Sequence, residues 1–366
     1  MKIVVASLGR AHLLDCAREL QKQGHDVIFY SITPSWRFNK YGLNTGGKSL
    51  LKYAFLFYFL KRFVKKEWTH RLYRFVLDEL VCFLMPKCDV FICQSPNYVK
   101  ALSLAKKKYH ALTILDRGST HIKSFDQIAK MYGDNKGHSR REKERDEGQY
   151  FEADYVTVAS DFVLNTFKEN GFDCTKIFVN QYGVRIDNFF PQNIEKKYDC
   201  IFVGQWCRLK GCELLIEYFI QHPNLKFIHV GAIGNLEFPQ VDNMVHIDAI
   251  PEKELAKYYN TSRIFVFPSF NDGYGLVLNQ AAACGLPIVC SQNCGGASLK
   301  EIIAEPDSVF IMDDFSLDSL HGCVMNAMNY TVKTVNSYDL TWEAYGKRYD
   351  QFLKRVIHNN GKNLLY

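Results

Sequence analysis

The sequence predicts an α/β protein of two Rossmann-like domains. Three observations carry this. The chain has 366 residues, room for two domains of ordinary size, each with its own core. Short apolar strand candidates alternate with helical spacing from Lys2 onward, and the pattern restarts at Cys200. Between the two series lies the polar run Gln192 to Tyr198, with the composition of a linker.

Composition narrows the class. Hydrophobic residues make up 47% of the chain, which excludes a disordered segment. The net charge of +6 does not point to bulk nucleic-acid binding. The 12 cysteines form no CxxC pair and no cysteine-histidine cluster at zinc spacing, so they read as buried thiols in a reducing cytosol. Met1 to Ser7 reads as a strand, with an apolar run too short for a signal peptide. No apolar run approaches the ~20 residues of a membrane span.

In chain order, Lys2 to Ser7 is an apolar strand followed by Leu8-Gly9-Arg10. Ala11 to Gln23 has helical spacing, with Leu13, Leu14, Ala17 and Leu20 on one side. Gly24-His25 ends that helix, and Asp26 to Ser31 completes a βαβ unit. Segment 48–74 places aromatics beside Lys61, Arg62, Lys65, Lys66, Arg71 and Arg74. It suits either an interfacial helix on an anionic membrane or a pair of core helices with solvated faces. Cys88 to Gln94 and Leu112 to Leu115 are further strands, the second running into Asp116-Arg117-Gly118-Ser119-Thr120-His121. Polar residues at the carboxyl end of a parallel strand lie where open α/β sheets bind ligands. Arg117 and His121 therefore suit contact with a hydroxyl or a phosphate, with a structural role as the alternative. Gly133 to Glu147 is strongly charged and reads as a loop leading into a helix that ends near Asp154. Tyr155 to Ala159 and Ile177 to Asn180 are strands, and Ser160 is placed to cap a helix.

The second series opens with strand Cys200 to Val203 and the loop Gly204-Gln205-Trp206-Cys207-Arg208-Leu209-Lys210-Gly211. Its centre is Pro268 to Gln280. The apolar strand Ile264 to Phe267 meets the turn Asn271-Asp272-Gly273-Tyr274-Gly275, and Leu276 opens a helix that Gly285 and Pro287 close. A glycine-lined turn feeding a helix aims bare N–H groups at what lies above the strand tips, which suits a phosphate. Gln280 follows Asp272 by roughly 12 Å of helical rise, so both side chains can touch one elongated ligand.

With Gly183-Val184, Lys210-Gly211, Cys284-Gly285-Leu286-Pro287 and Gly295-Gly296, this run resembles the donor-sugar-nucleotide motif of retaining GT-B glycosyltransferases, family four, the group 1 glycosyl transferases. The resemblance covers essentially the whole chain and is strongest from Gly183 to Gly296. It implies the GT-B fold: an acceptor-binding domain over 1–190 and a nucleotide-sugar domain over 191–337. It also implies a cleft between them and a final helix, 338–366, crossing back to the first domain. Gly9 corresponds to the family's first glycine turn at the cleft. The family often carries a functional histidine just after the strand corresponding to Leu112 to Leu115, and His121 is the candidate here. Lys210 takes the place of the lysine on the donor diphosphate. Gln205 stands where the family has arginine, and Arg208 is the candidate substitute. Asp272 and Gln280 replace the two glutamates, implying contacts to the sugar and to the ribose, with Gly273, Tyr274, Gly275 and Leu276 between them.

The resemblance implies transfer of a hexose-type sugar from a nucleoside-diphosphate sugar to a hydroxyl of a carbohydrate or lipid-linked acceptor, with retention. Expected catalytic residues are His121, Asp272 and Lys210. No Asp-x-Asp pair stands in the donor motifs, so no metal and no cofactor beyond the donor is expected. The expected location is the cytoplasm, with possible contact to the membrane face through 48–74. Two other classes stay open: a nucleotide-sugar epimerase of the same fold, and a non-catalytic subunit whose donor site has drifted at Gln205, Asp272 and Gln280.

Overall fold

The computed structural model describes residues 1–9, 11–53, 66–132, 137–335 and 338–363. Among them, seven strands form the first sheet: β1 (Lys2–Ala6), β2 (Asp26–Ser31), β3 (Gly47–Ser49), β4 (Val90–Gln94), β5 (Leu112–Asp116), β6 (Tyr155–Val158) and β7 (Ile177–Val179). They are parallel in the order β3-β2-β1-β4-β5-β6-β7. The second sheet has β8 (Tyr198–Val203), β9 (Phe227–Val230), β10 (Met244–Ile247), β11 (Ser262–Phe267), β12 (Ile288–Cys290) and β13 (Val309–Ile311), parallel in the order β10-β9-β8-β11-β12-β13. In each sheet the order reverses beside the first strand. The chain diverges there, leaving a crevice at the carboxyl ends.

Helices on both faces explain why the strands read as unbroken apolar runs. Ile3, Val4, Val5 and Ala6 are all fully buried, as are Phe265 and Val266 in β11. The last helix, Trp342–Asn363, returns to the first domain. Its Phe352 stacks on Phe178 at 4.1 Å, and Asp350 lies 2.9 Å from His25. The fold is thus α/β with two Rossmann-like halves.

Some elements differ from expectation. The charged run from Arg140 is helical, not loop: the helix Arg140–Glu152 starts at a capping box in which Ser139 and Glu142 satisfy each other's backbone amides. Strand β13 and the helix Leu317–Met328 had no separate sequence signal. Within the basic, aromatic segment 48–74, residues 54–65 lie outside the described residues. The helix Lys66–Leu84 that follows exposes Leu72, Phe75 and Phe83 and buries Leu77 and Val81. Among the described residues no helix is long and apolar enough to cross a membrane.

Candidate active site

The two crevices face each other. From the second domain come the turns that leave β8 and β11. Lys210 ends a short 3-10 turn, Arg208–Lys210, and its Nζ lies 2.5 Å from Asp272 Oδ2 and donates to Asn271 O at 3.3 Å. The other oxygen of Asp272 accepts from the Tyr274 amide at 3.1 Å. Gly275 has φ 84°, in the left-handed region, and lets the helix Leu276–Ala283 start immediately after the turn. From the first domain, the helix Ala11–Lys22 begins just beyond β1, with Ala11 also left-handed at φ 33°. That conformation costs an alanine about 1–2 kcal/mol.

Two adjoining cavities lie between these elements. One, of about 270 Å³, is lined by His12, Gly118 and Tyr182 of the first domain and by Gly204, Lys210, Asp272, Tyr274, Gly275 and Leu276 of the second. The other, of about 250 Å³, is lined by Ala11, His12, Asp15, Arg185, Glu252, Leu276 and Gln280 among others. His12 and Leu276 border both. Two helix N-termini, one per domain, and the Lys210 ammonium converge on this space. Each helix start carries roughly half a positive charge on unpaired N–H groups, which favours an anion there, while Asp15, Glu252 and Asp272 also line the cavities.

The domains close tightly beside the cavities. Ser160 Oγ donates to Gly273 O at 2.6 Å, Thr120 Oγ1 donates to Asn271 Oδ1 at 3.3 Å, and Asn279 Nδ2 donates to Tyr182 O at 2.5 Å. Tyr132 stacks on Phe270 with ring centroids 3.6 Å apart.

The expected site residues divide into two groups. Lys210, Asp272, Tyr274, Gly275, Leu276 and Gln280 come together at the cavities. Gly273 packs on Gly118 beside them. The Tyr274 hydroxyl is committed to Asn279, so its contribution to the wall is local. Gln280 accepts from the Tyr259 hydroxyl at 3.0 Å.

The second group does not line either cavity. His121 caps the helix Ile122–Met131 through Nδ1 and is packed among Tyr150 and Phe167. Burial lowers its imidazole to about 4; Glu147 opposes this, and Arg117 and Lys123 add to it. It is neutral near pH 7. Arg117 turns inward, donating to Asp146 at 2.9 Å and twice to Thr120 O, and so ties down the loop after β5. Gln205 is exposed. Arg208 is exposed and pairs with Glu213 at 3.1 Å, an expected stand-in that points elsewhere. Gly9 lies past β1, its carbonyl accepting from Ser31.

The residue missed from sequence is His12. Its Nε2 lies 2.7 Å from Asp116 Oδ1 and 3.1 Å from the Tyr182 hydroxyl. The histidine that borders the cavities thus comes from the first turn of the helix after β1 and not from the loop after β5, and Gly118 leaves room for it. A Cβ built at Gly118 would touch Tyr182 Oη at 3.4 Å and His12 Cε1 at 3.5 Å. The available signal was a lone histidine at a helix start facing an aspartate at a strand end. Among the described residues no group of three or more His, Cys, Asp or Glu side chains could hold a metal ion.

This architecture is the GT-B fold. Residues 184–329 match the family model described as "Glycosyl transferases group 1". The chain is 26% identical over 118 residues to O-antigen chain mannosyltransferase B of Escherichia coli, covering 26% of this chain and 30% of the relative. The chain spans from 28% to 55% of the length of the curated relatives compared. Among solved structures, sucrose-phosphate synthase from Thermosynechococcus elongatus superimposes with TM-score 0.67 at 14% identity, covering 98% of this chain and 100% of that one. Anabaena HepE in complex with UDP and glucose gives TM-score 0.67 at 12% identity, covering 97% and 100%.

Proposed function

We propose that this protein is a glycosyltransferase that moves a hexose-type sugar from a nucleoside-diphosphate sugar to a hydroxyl of a carbohydrate or lipid-linked acceptor, with retention of configuration. The process served is cell-surface polysaccharide or glycolipid synthesis. The observation that carries this reading is the convergence of Lys210 and two helix N-termini on the interdomain cavities. Lys210 and the amides near Gly275 stabilise the charge that develops on the leaving diphosphate, an electrostatic contribution made in a preorganised site. Asp272, held by Lys210 and the Tyr274 amide, faces the transferred sugar, and Gln280 faces the ribose. The solved relative bound to UDP and glucose and the mannosyltransferase relative accord with this donor class.

The test is nucleotide binding, sharpened at Gln280. Tyr259 engages the side-chain carbonyl of Gln280, and the NH₂ has no partner among the described residues. A carboxylate there accepts from both ribose hydroxyls, and charged hydrogen bonds exceed neutral ones by roughly 1 kcal/mol. Gln280→Glu is therefore expected to tighten nucleoside-diphosphate binding by up to about fivefold, reduced by repulsion from Glu252 across the same cavity and from the diphosphate. Gln280→Ala weakens it. Calorimetric titration with UDP, GDP and ADP checks this. Absence of heat with all three nucleotides removes the donor reading, and parent-like binding by Gln280→Ala places Gln280 outside the site.

The lipid-linked acceptor is tied to the membrane face. Exposed Leu72, Phe75 and Phe83 share the helix Lys66–Leu84 with Arg71 and Arg74. Each basic residue near an anionic surface contributes about 1 kcal/mol, screened by salt. Sedimentation with anionic vesicles is expected to pull the protein down at low salt and release it at high salt, with neutral vesicles binding poorly. Equal partitioning to both, or to neither, removes membrane docking.

A further inference from the structure

We propose that His12 reads the transferred sugar: its Nδ1 accepts a hydrogen bond from one sugar hydroxyl, and Asp116 and Tyr182 position the ring for that contact. The proposal rests on the nucleotide-sugar reading above and names a sugar contact within the same site.

The tautomer follows from the partners. A carboxylate only accepts, so the 2.7 Å contact with Asp116 Oδ1 puts the imidazole proton on Nε2. Asp116 is 2% exposed, and His12 is its side-chain partner among the described residues. The Tyr182 ring lies 4.3 Å from the imidazole, and its hydroxyl reaches the same Nε2 at 3.1 Å. Nε2 is thereby committed. In the neutral ring, Nδ1 carries a lone pair, and among the described residues no group donates to it.

Position then selects the ligand group. His12 borders both cavities, and Lys210 and Asp272 stand on the second-domain side of one of them. Lys210 takes the diphosphate. The portion of the donor reaching toward the first domain is the sugar, whose hydroxyls are the donors a bare imidazole nitrogen accepts from. Asp15, three residues along the same helix, pairs with Arg18 and Arg185.

The experiment compares sugar nucleotides with their nucleoside diphosphates. His12→Phe keeps ring bulk and removes the acceptor but leaves Asp116 buried and unpaired. The double variant His12→Phe, Asp116→Leu removes both partners of the buried pair and guards against a folding defect. Calorimetric affinities are measured for UDP, GDP and ADP, and for UDP-glucose, GDP-mannose and ADP-glucose. In both variants, affinity for the sugar nucleotide that the parent binds is expected to fall about tenfold, the scale of one hydrogen bond. Affinity for the matching nucleoside diphosphate stays within about twofold. Equal losses for both ligands, or no loss for the sugar nucleotide, overturn the sugar contact while leaving the donor reading intact. A parent that binds no nucleotide overturns both.

Discussion

Lys210→Ala is expected to lower turnover at least tenfold while the melting temperature stays within a few degrees. The ammonium is the cation placed at the first cavity, and charge-assisted contacts to a bound diphosphate contribute about 1.5–3 kcal/mol. Its removal also leaves the Asp272 carboxylate without the partner now 2.5 Å away, so a like charge faces the diphosphate. The pair is about one-fifth exposed on each side, and partly exposed ion pairs stabilise folds only modestly. Steady-state rates of donor hydrolysis and transfer check this, and full activity in Lys210→Ala sinks the clamp. Arg208→Ala is expected to be mild, because Arg208 is held by Glu213 outside the cavities. We propose that protein cations and helix amides suffice for the diphosphate, so parent activity should survive excess chelator. Loss that Mg²⁺ restores would place a metal in the mechanism.

The part of the site that could be read from sequence is the part built from neighbours along the chain. Asp272 to Gln280 is one turn and one helix, so spacing alone sets which side chains lie together. The same holds for Gly204 to Gly211, where Lys210 precedes a helix start. What could not be read is built from distant residues. His12 finds its partners in Asp116 and Tyr182, 104 and 170 residues away, and neither pairing leaves a local pattern. Arg117 and His121 misled for the complementary reason. They stand where a ligand binds in open sheets, yet Asp146 and Glu147 on the helix Arg140–Glu152 face them from within the domain. That helix was itself obscured by its charge, although its Ser139–Glu142 capping box stands in the sequence. The fold was more legible than the site, because buried parallel strands advertise themselves as apolar runs whatever their partners.

Gly273→Ala is expected to cost about a hundredfold in kcat/KM with little loss of fold stability. A Cβ at Gly273 would stand 2.2 Å from the carbonyl oxygen of Gly118 and 3.0 Å from the Cα of Ser119. Both are backbone atoms of the opposite domain, so no side-chain rotation relieves the overlap. The domains must part there. Separation breaks the Ser160–Gly273 hydrogen bond and draws His12 away from Lys210 and Asp272. A misplacement of about 1 Å between reacting groups can cost a hundredfold. The two sheets and their cores are untouched, so thermal unfolding should move only slightly. Nucleoside-diphosphate affinity, set mainly within the second domain by Lys210, should fall less than kcat/KM. Gly275→Ala provides the contrast: its φ of 84° lies inside the second domain, so strain appears there as lost stability. Rates and melting curves for both variants decide the matter. If Gly273→Ala retains the parent kcat/KM, close apposition of 118–119 and 273 is not needed for catalysis, and the interdomain cavity described here is not the reacting geometry.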